Sequence, residues 1–190
     1  KGPFGNGDMS DQNLLKGYLL VGRDRDYDSA LKLYSSALNL RGCVGTGTII
    51  DLMYIYGKLG LFDEGLIHLD KISDLCKDQI EEEIYKKRQR HLDYSIGEFV
   101  LNSMKGDLTN YSALLDSLST KNNYKFHRWE RMMLKILNGD NSGALDELES
   151  MCDSYQIPFN IKSFEIYDAL RSEPRSVSYT HLRAHETERN

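Results

Sequence analysis

The phrase Asp26-Tyr27-Asp28-Ser29-Ala30-Leu31-Lys32-Leu33-Tyr34 returns 35 residues later as Leu61-Phe62-Asp63-Glu64-Gly65-Leu66-Ile67-His68-Leu69, with Gly65 in the place of Ala30. A period of this length marks helix pairs stacked in a row, each pair too small to bury a core by itself. A further copy, Asn141-Ser142-Gly143-Ala144-Leu145-Asp146-Glu147-Leu148, places Ala144 at 79 residues after Gly65. The intervening unit fits Gly106-Asp107-Leu108-Thr109-Asn110-Tyr111-Ser112-Ala113-Leu114-Leu115, with Tyr111 in the small-residue place. The spacings are then 46 and 33 residues, so the second unit carries an insertion of about eleven residues, roughly three helical turns.

Each copy has a partner stripe upstream. Leu14, Leu15, Tyr18 and Leu19 are echoed 35 residues on by Ile49, Ile50, Met53 and Tyr54. Trp129, Met132, Met133 and Ile136 keep the helical spacing, and Tyr94, Ile96, Phe99, Val100 and Met104 supply a looser fourth stripe. Turns fall at Gly22-Arg23-Asp24, Gly60, Gly106-Asp107 and Asn138-Gly139-Asp140, which are residue types that stop helices. The pattern predicts helices over 11–22, 27–40, 47–59, 62–75, 92–105, 108–119, 124–137, 141–154 and 160–171, and no sheet. The expected fold class is all-α, an α-solenoid of antiparallel helix pairs over residues 11–171. Ala30, Gly65 and Ala144 are expected where the second helix of a pair crosses the first, because a short side chain permits close approach.

The insertion near 77–91 is charged, and its Glu82–Lys86 and Glu83–Lys87 pairs have the favourable i, i+4 order. It reads as an extension of the preceding helix. Residues 1–10 are glycine-rich and expected to be disordered, as are residues 172–190. Within the latter, residues 177–187, Val-Ser-Tyr-Thr-His-Leu-Arg-Ala-His-Glu-Thr, resemble the translation of a sequencing-library adapter. That resemblance implies an artefactual tail on a fragment, and the tail is set aside from fold and function. The chain begins at Lys1, so a targeting signal is left open.

A hydrophobic content of 40% suits a soluble chain, and no apolar run approaches the roughly 18–20 residues of a membrane span. Cys43, Cys76 and Cys152 are odd in number and widely spaced, which argues for a reducing, intracellular setting and against a disulfide framework or zinc site. There is no phosphate-binding Gly-x-x-x-x-Gly-Lys-Ser/Thr loop, no His-Glu-x-x-His helix and no Gly-x-Ser-x-Gly elbow. His68, His91 and His127 lack metal-ligand spacing. The reading assigns no catalytic residues, no metal, no cofactor and no small-molecule substrate.

Ala30, Tyr34 and Ala37, then Tyr56, Leu59, Gly60, Gly65 and Leu69, resemble the tetratricopeptide repeat. The family's glycine on the first helix is replaced by Tyr18 and Met53, and no proline follows Leu40 or Leu75. Tyr56-Gly57-Lys58-Leu59-Gly60-Leu61-Phe62-Asp63-Glu64 equally resembles the turn of a pentatricopeptide repeat, whose base-reading place falls to Asp51. The first resemblance implies a scaffold that holds a protein partner in its concave groove, with Arg23, Tyr54 and Lys58 as contacts. The second implies an organellar protein binding single-stranded RNA, to which Lys86, Lys87, Arg88 and Arg90 would add phosphate contacts. A net charge of −5 opposes nucleic acid unless cations gather on one face. Location stays open between cytoplasm and mitochondrion or plastid.

Overall fold

The computed structural model of the chain describes residues 9–41, 44–77, 84–119, 128–152 and 165–175. Among these, every regular element is helical. In order they are α1 (Met9–Leu19) with a π-helical turn (Leu20–Asp24), α2 (Tyr27–Arg41), α3 (Thr46–Leu59), α4 (Phe62–Lys77), α5 (Ile84–Ser103), α6 (Tyr111–Ser119), α7 (Arg128–Leu137), α8 (Asn141–Cys152), a 3₁₀ turn (Glu165–Tyr167) and α9 (Asp168–Arg171). The chain divides into two compact units, Lys1–Leu114 and Leu115–Asn190.

In the first unit α3 is the central helix, packed by α2, α4 and α5. Its apolar run explains the position. Ile49, Ile50, Leu52, Met53, Tyr54, Ile55 and Tyr56 are all buried, and a helix apolar around its whole circumference needs neighbours on several sides. Small residues let those neighbours approach. A Cβ on Gly65 would lie 2.9 Å from Leu101 Cδ2 and 3.1 Å from Tyr56 Cβ. Ala30 and Ala144, the equivalent residues of α2 and α8, are fully buried. On α1 the close approach belongs to Gly17, whose Cβ would lie 2.7 Å from the Tyr34 ring. Sequence comparison with the repeat pattern pointed to Tyr18 at this place; the structure uses the residue beside it.

The turns repeat more regularly than the side chains. Gly60, Gly106 and Gly139 have φ of 72°, 86° and 79°. After each, the next amide reaches back to a carbonyl five residues earlier: Leu61 to Tyr56 at 3.0 Å, Asp107 to Asn102 at 3.0 Å and Asp140 to Lys135 at 2.8 Å. This is the Schellman closure, which satisfies carbonyls orphaned at a helix end and needs a left-handed residue. The first turn departs from its expected form. Its left-handed residue is Arg25, at φ 54°, while Gly22 lies inside the π-helical turn and the Asp26 amide reaches Leu20 O at 3.1 Å. The extra residue of a π turn moves the reversal past the glycine. Asp26 then caps α2 by accepting from the Ser29 amide at 3.0 Å.

Other boundaries also shift. Met9 and Ser10 are helical, and Ser10 is buried with its hydroxyl donating to Ala37 O at 3.1 Å. Residues 84–91 form the first turns of α5, and residues 78–83, between α4 and α5, lie outside the described residues. No glycine or proline interrupts 84–96, so the helix runs straight on into Ile96, Phe99, Val100 and Leu101, which anchor it in the core. The helix expected from 108 starts at Tyr111, because Asp107 draws the Thr109 amide into a local turn at 3.0 Å. Of the stretch expected as helix over 160–171, residues 160–164 lie outside the described residues, and the rest is a 3₁₀ turn followed by α9. Residues 1–8, 78–83 and 176–190 also lie outside, and with them the adapter-like segment.

Two substitutions separate packing from backbone conformation. Gly97→Ala gains helix propensity worth about 1 kcal/mol, but its Cβ would sit 2.8 Å from Ile49 Cγ2 and 2.9 Å from Leu69 Cδ1. Overpacking of about 1–3 kcal/mol outweighs the gain, so denaturant melts should show net destabilisation. Arg25→Gly relieves a left-handed side chain worth about 1–2 kcal/mol against about 0.4–1 kcal/mol of unfolded-chain entropy. The same melts should show it equal to or more stable than the parent.

Candidate functional site

The antiparallel seam between α2 and α3 gathers the most unusual side chains of the first unit. Tyr27 and Tyr34 lie two turns apart on α2; Asp51, Tyr54 and Lys58 follow at three- and four-residue steps on α3. Each set lies along one helix face. At one end the Tyr34 hydroxyl donates to Asp51 Oδ2 at 3.0 Å. At the other, Lys58 Nζ stands 5.8 Å from the ring centroids of both Tyr27 and Tyr54. Those two rings meet edge to face at 6.4 Å and 67°. Each cation–ring contact of this kind contributes about 0.5–1 kcal/mol.

The two ends differ in electrostatics. Burial pushes the Asp51 carboxyl up to about 7, with the Tyr34 hydrogen bond opposing the rise. Burial, the Asp51 charge and its hydrogen bond, and the nearby Tyr18 drive the Tyr34 phenol well above its ordinary value. Lys58 is half-buried at the opposite end. The seam therefore carries a carboxyl held by a phenol and an ammonium held by two aromatic faces.

Of the residues expected as partner contacts, Tyr54 and Lys58 lie together with Tyr27, and Tyr54 is itself buried at 4% exposure. Arg23 lies in the π-helical turn with an exposed side chain, bonded to Asp24 through Nε at 2.7 Å and Nη2 at 2.8 Å. That hydrogen bond, reinforced by the charge pair, raises the Arg23 pKa. Lys86, Lys87, Arg88 and Arg90 are on the first two turns of α5, and their side chains lie outside the described residues. Sequence reasoning placed Asp51 as a base reader, but its Oδ2 is taken up inside the helix seam. The missed signal is the matched seven-residue spacing of Tyr27 with Tyr34 and Asp51 with Lys58.

His68, weighed as a packed side chain, bonds Tyr56 OH through Nδ1 at 2.7 Å, and burial lowers its pKa. Trp129 packs against Tyr167 with centroids 5.2 Å apart. The polar centre of the second unit is a buried network that the sequence did not disclose. Arg131, 1% exposed, donates through Nε and Nη2 to Glu147 at 3.0 and 2.8 Å and through Nη1 to Leu118 O at 3.3 Å. Lys135 reaches Glu147 Oε1 at 3.0 Å and Gly143 O at 3.2 Å. This arrangement ties α7 to α8 and to the end of α6. Each guanidinium nitrogen of Arg131 and the ammonium of Lys135 bonds a protein acceptor, so the network holds structure.

Among the described residues no helix is long and apolar enough to cross a membrane. Comparison of the chain with known family models, curated proteins and solved structures finds no match.

Burial disfavours ionised Glu147, but hydrogen bonds from Arg131 and Lys135 outweigh it and hold the carboxyl below its ordinary 4.5. A depressed carboxylate contributes stability above its unfolded pKa and loses it as pH falls through the folded value. Melts of the second unit should therefore show stability falling as pH drops below about 4.5. Glu147→Gln at neutral pH strands the buried Arg131 charge and should cost about 3–5 kcal/mol.

Proposed function

We propose that the chain is a non-enzymatic helical-repeat scaffold that binds a protein segment on the face of its first unit carrying Tyr27 and Lys58, which pack on the buried Tyr54. The supporting observation is the pairing of two tyrosine rings with one ammonium at the end of the α2–α3 seam. Tyrosine side chains are among the groups that most often anchor protein interfaces, and a cation over an aromatic face adds an electrostatic contact. Arg23 supplies a second exposed cation on the turn that leads into α2. The repeated left-handed turns at 25, 60, 106 and 139 support the helical-repeat reading, since their spacings of 35, 46 and 33 residues follow those of the repeated phrase.

Protein binding is favoured over RNA binding by Asp51. A base reader presents its polar group to a nucleotide edge, whereas the Asp51 carboxyl already accepts from Tyr34. Ionised, it would also repel phosphates.

Quantitative affinity enrichment from cells with the parent chain and with a combined Arg23→Glu, Lys58→Glu variant tests the reading. The variant should keep its helical circular dichroism and lose its specific partners by about tenfold or more, equivalent to about 1.4 kcal/mol. Undiminished recovery of every partner would remove these residues from the interface. Filter binding with single-stranded RNA should give no retention at low salt; retention that weakens steeply with salt would transfer the assignment to RNA.

A further inference from the structure

Among the described residues, the exposed large apolar side chains are Met9, Leu15, Leu19, Leu40, Ile67 and Leu108. Only Leu15 and Leu19 stand four residues apart on one helix, at 63% and 48% exposure. Their counterparts 35 residues on are Ile50 and Tyr54. Those two are buried at 1% and 4%, where α3 packs on α2 and Tyr54 meets Tyr27. The α1 stripe thus has the form of a face that receives a helix, and it is open to solvent.

Charge completes the stripe. Asp11, Leu15, Leu19 and Arg23 follow at four-residue steps, and all four are exposed. On a straight α-helix each such step drifts about 40° round the axis. The π-helical turn over Leu20–Asp24 winds less per residue, which draws Arg23 back over Leu19. The stripe is therefore acidic at one end, apolar in the middle and basic at the other.

Such a stripe is complementary to its own reverse. With a two-fold axis at the level of Gly17, Leu15 of one copy faces Leu19 of the other, and Asp11 faces Arg23 at both ends. Contacts repeated in this way are those of a closed, two-fold dimer. Arg23 already bonds Asp24 through Nε and Nη2, but a guanidinium carries five N–H donors and can take a second carboxylate. Gln12 and Lys16, both exposed beside the stripe, would form the polar rim usual at an interface.

We propose that α1 is a self-pairing surface, through which two copies of the chain associate as antiparallel helices. The four leucines pack at the centre and an Asp11–Arg23 pair closes each end. This pairing goes beyond the docking face given to Tyr27 and Lys58, with which it shares only Arg23. One stripe on a helix makes a small interface, under about 1,200 Å² in total, the range of weak and reversible association.

Sedimentation equilibrium of the whole chain from about 1 µM to about 1 mM should show a reversible monomer–dimer equilibrium. Leu15→Lys combined with Leu19→Lys should keep its helical circular dichroism, since both positions are exposed, and weaken the dimer by at least about 100-fold. Asp11→Arg or Arg23→Asp alone should weaken it about tenfold. The two together restore opposite charges at both ends and should recover the parent association. That recovery belongs to the antiparallel register, because parallel helices would set like charges together. The charge swap leaves both leucines in place, so it tests the pairing even where the lysine variant fails to fold. A chain that stays monomeric throughout the range would leave the stripe to some other helix and overturn the proposal. A dimer that survives the leucine substitutions, or a charge swap without recovery, would overturn it too. None of these readings involves a partner protein, so failure of the docking face would leave them untouched.

Discussion

The hydrogen bond from the Tyr34 hydroxyl to the Asp51 carboxyl fixes where α2 lies along α3. With Tyr34 opposite Asp51, an antiparallel register brings Tyr27 opposite Lys58, which is where the cation–ring contacts are found. The same tyrosine needs α1 to carry no side chain at Gly17, since a Cβ there would penetrate its ring. One phenol thus sets the relation of three consecutive helices. Its neighbours on α2, Ala30, Ala37 and Leu38, are buried in the same packing.

Away from the seam, the first unit is organised by short side chains at crossings and by left-handed residues at turns. Gly57 faces Met104, Gly65 faces Leu101 and Gly97 faces Ile49 and Leu69, so α5 beds closely onto α3 and α4. These contacts bury Leu69, Ile96, Val100 and Leu101 almost completely. Complete burial of such a side chain contributes about 1.5–3 kcal/mol. The second unit solves the same problem with charge: Arg131 crosses from α7 to Glu147 on α8 and is held there by a two-pronged hydrogen bond. The pair stabilises the arrangement chiefly by making its loss costly, since either partner alone would be an uncompensated buried charge.

Much of this was legible in the sequence, and the exceptions have physical reasons. Ala30, Gly65 and Ala144 stood out because a small residue recurring in an apolar phrase has few explanations besides close approach, and all three are buried. Gly60, Gly106 and Gly139 were readable as helix ends because only glycine adopts their backbone conformation without strain. Arg25 was not, since a non-glycine residue in that conformation leaves no mark in sequence. The assignment of residues 84–91 to α5 was hidden because charged, helix-favouring residues run up to the boundary on both sides. Arg131 and Glu147 were invisible as a pair because they are distant in sequence and each would be ordinary on an exposed face. Lys58 stood out from its place at the end of a first helix and Tyr54 from the stripe on that helix, but Tyr27, which completes the cluster, belongs to the preceding helix.

The central claim is that Tyr34 and Asp51 act as a unit in setting the α2–α3 seam, and a double-mutant cycle on stability tests it most directly. Tyr34→Phe, Asp51→Asn and the double variant would be compared by denaturant unfolding at about pH 5.5, where the carboxyl keeps its proton in the folded state. The account predicts a coupling of about 0.5–1.5 kcal/mol, the size of one net hydrogen bond. Losses that add to within about 0.3–0.5 kcal/mol would show the two residues to be independent and would contradict it.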